Sequence, residues 1–136
     1  MPTSFESPPP ANDLPPGSPE YWQLAWEWQL WHHRCNPTRT LHSKEPQEPT
    51  EGFIRLAYPW HAPANAAGPN YFYLRPEWIT MTTGVSNNPR GYYHVTWREP
   101  GRKEVSSAFV DKESYGVAAG YYLERQLSRP QQLKLF

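Results

Sequence analysis

The chain has 136 residues, enough for one domain with tails, and its formal net charge is zero. The charge is unevenly placed: residues 1–51 hold seven acids and three bases, while residues 52–136 hold six acids and ten bases. One cysteine, Cys35, excludes an internal disulfide framework, and no apolar run is long enough to cross a bilayer.

Residues 1–17, MPTSFESPPPANDLPPG, hold too few large apolar groups to offset the entropy of ordering, so they are expected to be a disordered, proline-rich stretch. They show no basic segment followed by an apolar run, so no signal peptide is expected and the protein is placed in the cytoplasm.

Residues 18–35 carry the clearest helix signal. Ser18 suits the cap, Pro19 the first turn and Glu20 the positive end of the helix dipole, and Asn36-Pro37 stops the run. Tyr21, Leu24, Trp28, Trp31 and Cys35 form one stripe, widened by Trp22, Ala25 and Trp26. So many aromatic rings exceed what one face buries. The helix is expected to pack on the domain's own core, with Trp22, Trp26, Trp28 and Trp31 as the alternative: a docking surface for another protein.

Residues 36–51 are polar and proline-interrupted, and read as a linker. An α+β domain is expected over residues 52–127. Strand-like pieces follow in turn: FIRLAY, NYFYLR, EWITMTT, YYHVTWRE and EVSSAFV, with turn clusters between the later ones. In YYHVTWRE, Tyr93, Val95 and Trp97 alternate with Tyr92, His94, Thr96 and Arg98. Residues 111–127 read as a helix capped by Asp111. The expected architecture is a small antiparallel sheet of three to five strands with this helix on one face. Tyr93, Val95, Trp97 and Phe109 are expected to be buried against it, and Gly116 and Gly120 to mark its close approach to the sheet.

Within this domain, residues 84–127 contain a recognisable pattern. An aromatic-x-Val-x-Trp-Arg-Glu-Pro strand leads through a Gly/Lys/Arg turn to a strand ending in Phe and an alanine-rich helix. It is carried by Gly91, Tyr93, Val95, Trp97, Arg98, Glu99, Pro100, Gly101, Lys103, Phe109, Ala118, Ala119 and Tyr122. It resembles the arm-type DNA-binding domain of tyrosine recombinases and the AP2 domain of the same shape. The resemblance implies a three-stranded sheet that meets double-stranded DNA. On that arrangement His94, Thr96 and Arg98 point outward to base edges, while Arg90, Arg102 and Lys103 in the flanking turns hold phosphates.

Residues 128–136 end in QLKLF. Gln132, Leu133, Leu135 and Phe136 resemble the Gln-Leu-x-Leu-Phe peptide by which bacterial DNA-handling proteins attach to the β sliding clamp. The two apolar anchors suit a pocket on another protein, and the glutamine amide suits backbone hydrogen bonds that fix register. The alternative is an edge strand.

His32, His33 and Cys35 cannot all point one way from a helix, so no metal site is expected there, with a small metalloprotein kept as a further alternative. No phosphate loop, paired-carboxylate spacing or nucleophile elbow appears, so no cofactor, catalytic residue or enzymatic activity is expected. The leading expectation is a nucleoid-associated accessory protein of DNA metabolism, with replication, repair and a mobile element all open as its setting. It would hold the clamp and contact DNA, and its oligomeric state is open.

Overall fold

A computed structural model describes residues 8–16, 18–61, 63, 68–85 and 92–127. The order is α1 (Pro19–Cys35), β1 (Leu41–Ser43), β2 (Ile54–Ala57), β3 (Tyr71–Leu74), a short 3-10 turn (Pro76–Trp78), β4 (Ile79–Val85), β5 (Tyr92–Trp97), β6 (Ser106–Phe109) and α2 (Lys112–Leu127). The class is α+β, with a C-terminal helix on one sheet face. The strands divide into two antiparallel sheets of three, ordered β1-β3-β2 and β4-β5-β6.

The local signals of α1 act as read. Ser18 Oγ accepts the N–H of Tyr21 at 3.1 Å, and the Asn36 N–H closes the helix on His32 O. The face that meets the core differs from the expected stripe. Trp26 is buried against Tyr73, Leu30 packs beside it, and His33 meets Phe53 edge to face. Trp28 lies on another side, where its indole N–H donates to Pro10 O and its ring stacks on His32. Both stripes are apolar, so periodicity alone does not choose between them; the ring that fits beside Tyr73 does. Trp26 therefore belongs to the core and has no surface to offer a partner. Residues 8–16, within the stretch expected to be disordered, run alongside α1, and Asn12 Nδ2 donates to Tyr21 O.

The expected linker contributes β1. Leu41, Ser43 and Lys44 are buried, and Tyr73 fastens the segment. The Tyr73 hydroxyl hydrogen-bonds Ser43 Oγ at 2.7 Å and accepts the N–H of Gln47 at 2.9 Å. Burial raises its pKa, opposed by those two hydrogen bonds. The central strand β3 is enclosed on both sides. Tyr73 faces α1, while Phe72 stacks on Trp97 of the second sheet, ring centroids 5.2 Å apart.

Helix α2 covers one face of β4-β5-β6. Asp111 caps it, its carboxylate accepting the Ser114 N–H at 2.7 Å. Ser114 Oγ in turn accepts the N–H of Ala57, tying the helix to β2. At its far end Arg125 donates to the carbonyls of Pro76 and Ile79. The close approach of helix to sheet falls at Gly84, not at Gly116 and Gly120. A Cβ on Gly84 would sit 2.6 Å from the Tyr115 ring, whereas a Cβ on Gly116 or Gly120 meets nothing within 4 Å. Those two glycines sit on the outer side of α2, away from the sheet they were expected to touch.

Val95 and Trp97 are buried, Trp97 by stacking on Phe72 of the first sheet, while Tyr93, expected to be buried, is half-buried and packs on Tyr115 of α2. Phe109 is not buried: it is 43% exposed on the opposite face. Register explains it. Val95 pairs with Ala108, so Ala108 and Val110 take the inward places and Phe109, opposite His94, points out.

Candidate nucleic-acid interface

Strand alternation places side chains of β4, β5 and β6 on the face away from α2. β5 contributes Tyr92, His94 and Thr96. In register with them stand Val85, Thr83 and Met81 of β4, and on β6 Phe109 faces His94 while Ser107 faces Thr96. Among the described residues this face is open, since Met81, Val85, Tyr92 and Phe109 are all exposed. Phe109 meets the Tyr92 ring edge to face at 5.1 Å and lies 5.1 Å from the His94 ring. None of these outward residues is acidic.

The cations gather at the other end of the strands. Arg98 follows buried Trp97 and is exposed, so alternation continues the β5 column to a guanidinium. Lys103 is exposed in the turn between β5 and β6, which bends at Gly101 with a positive φ of 82°. Arg102 is exposed but paired: its Nε lies 3.2 Å from Glu99 Oε1. Glu99 is committed inward, since its other oxygen accepts the N–H of Thr40 at 2.6 Å. The indole N–H of Trp97 donates to the Thr40 hydroxyl at 2.9 Å, so β5 and the approach to β1 are joined twice.

The structure thus brings His94 and Thr96 into one column, with exposed Arg98 just past the end of β5 and Lys103 and Arg102 in the adjoining turn. Arg90 lies outside the described residues, as do Gln132, Leu133, Leu135 and Phe136. Tyr92 and Phe109 are exposed members of this face that the sequence reading did not include. Alternation already groups Tyr92 with His94, but the outward turn of Phe109 depends on the β5–β6 pairing register.

At the end of α1, His32, His33 and Cys35 border a hollow of about 380 Å³. Burial lowers the pKa of His33, and the Arg75 charge lowers it further. Among the described residues no group of three or more His, Cys, Asp or Glu side chains is placed to hold a metal ion. Nor is any helix among them long and apolar enough to cross a membrane.

The fold and face define an α+β protein with a helix-backed, three-stranded sheet whose other face is exposed among the described residues. No protein-family model, curated protein or solved structure matches the chain.

Proposed function

We propose that this is a non-enzymatic accessory protein of DNA metabolism that contacts double-stranded DNA with the open face of β4-β5-β6 and holds a bacterial β sliding clamp through Gln132, Leu133, Leu135 and Phe136. The observation that carries the reading is the face itself: one side of the sheet is packed on α2, and among the described residues the outward strand side chains of the other include no acid, with Arg98 and Lys103 exposed in the turn beyond β5. A twisted antiparallel sheet of this width fits the major groove. Thr96 and His94 then face base edges, while Arg98, Lys103 and Arg102 meet phosphates. The excess of bases over acids in residues 52–136 favours the same partner. The QLKLF segment follows α2 by a few residues, so one end of the protein would hold the clamp while the sheet rests on the DNA the clamp encircles. Such a protein works at the nucleoid, in replication, repair or the service of a mobile element.

Retention on duplex DNA across a salt series tests the sheet. Arg98→Ala with Lys103→Ala should weaken retention and flatten its dependence on salt. Absence of retention at low salt would overturn the DNA half of the reading, and absence of clamp capture by the intact chain would overturn the other half.

A further inference from the structure

The open face is more aromatic than duplex contact requires. Tyr92 and Phe109 are 42% and 43% exposed, and with His94 they form a continuous patch of three rings. Exposed rings in contact are surface that gains by being covered. A duplex offers base edges in its grooves and keeps its base faces stacked on one another. An unpaired strand offers the faces. Rings that project from a sheet can stack on those faces whatever the sequence, provided cations nearby take the phosphates.

We propose that Tyr92, His94 and Phe109 form a stacking platform for an unpaired DNA strand, with Arg98 and Lys103 holding its backbone. The inference rests on the reading of this face as a DNA surface, and names the form of DNA it prefers. Charge complementarity selects the occupant. The outward residues of β4, β5 and β6 include no carboxylate, and the turn beyond β5 exposes Arg98 and Lys103; of its two acids, Glu99 is turned inward onto Thr40 and Arg102, and Glu104 is exposed. From His94 to Arg98 is about 13 Å along the strand, so one short stretch of a polynucleotide spans rings and cations together. Met81 and Val85 extend the apolar floor beside the rings.

The experiment uses the full chain, a labelled thymidine oligomer of about fifteen nucleotides, and a labelled duplex of matched length, at low salt. Fluorescence anisotropy should show tighter binding to the oligomer. Phe109→Leu and Tyr92→Leu, which keep an apolar side chain and remove the ring, should each weaken oligomer binding about tenfold while duplex binding changes little. Phe109→Trp should retain it. Circular dichroism and an unfolding curve verify that each variant folds. Equal affinity for the two DNAs, or oligomer binding indifferent to both ring losses, overturns the platform and leaves the duplex reading standing. No binding to either DNA overturns both. Self-association abolished by Phe109→Leu would instead mark the face as a contact between copies and also overturns the proposal.

Discussion

The side-chain amide of Gln29 pairs with both backbone groups of His42: its Oε1 accepts the His42 N–H at 2.7 Å, and its Nε2 donates to the His42 carbonyl at 2.6 Å. A residue of α1 thereby acts as a neighbouring strand would, satisfying the edge of β1 that β3 leaves unpaired. Gln29→Ala should lower stability by about 2 kcal/mol, because two half-buried backbone groups lose their partners. Gln29→Glu should be nearly as costly at neutral pH, where a carboxylate faces a carbonyl, and milder in acid. Urea unfolding with an unchanged slope and a lower midpoint checks both.

The glycines of the second half differ in sign. Gly84→Ala forces the Tyr115 ring off Tyr93, and a loss of about 1–2 kcal/mol is expected. Gly116→Ala and Gly120→Ala meet open space inside a helix and should each stabilise by up to about 1 kcal/mol. Thermal midpoints of the three variants should fall on opposite sides of the parent.

Acid should weaken the fold through His42. Burial holds its imidazole below the ordinary 6.5, with the Glu99 charge pulling the other way. The unfolded chain then takes up a proton that the folded one refuses, so stability is full above about 6.5 and declines as pH falls toward the folded value. His33 acts in the same direction. Urea midpoints at pH 7.5 and pH 5.5 should differ less in His42→Asn than in the parent; an equal difference would remove His42 as the cause.

Glu99 couples stability to the face proposed to meet DNA. Glu99→Gln weakens the charge-assisted bond to the Thr40 N–H and frees Arg102 from its ion pair. The variant should lose about 1–2 kcal/mol of stability yet bind DNA more tightly, with the salt slope steeper by about one unit. Paired unfolding and binding curves on one preparation check the two effects together.

For the clamp, a peptide of residues 128–136 is expected to bind with micromolar affinity, about 8 kcal/mol. Leu135→Ala and Phe136→Ala should each remove most of that, since a small interface concentrates its energy in a few anchors. Lys134→Asp should have little effect, and calorimetry with a purified bacterial clamp measures all four.

What could be read from the sequence was local. Ser18 and Asp111 cap helices through groups three residues away, and the alternation of Tyr93, Val95 and Trp97 needs nothing beyond its own strand. Three features depended on distant residues and could not be read. β1 has only three residues and is held by Gln29 and Tyr73. The core face of α1 was decided by Tyr73, far along the chain, choosing Trp26 over Trp28. The direction of Phe109 hung on how many residues the β5–β6 turn consumes before pairing resumes at Trp97 and Ser106. For the candidate site, His94, Thr96 and Arg98 were legible from alternation, and the aromatic part completed by Phe109 was not.

The stacking of Phe72 on Trp97 has a bearing on how the protein comes apart. Cut between β3 and β4, each piece would keep one of the two rings and expose it, along with Leu56 and Leu74 on one side and Val95 and Val110 on the other. The bond from the Asp111 N–H to Ala57 O and the Ala57–Ser114 bond would also be severed. The second sheet and α2, which contain the stretch resembling a self-contained module, supply one half of a shared interior. Their excised peptide should be a poorly structured, aggregating fragment, and the intact chain should melt in a single cooperative step in which both sheets are lost together.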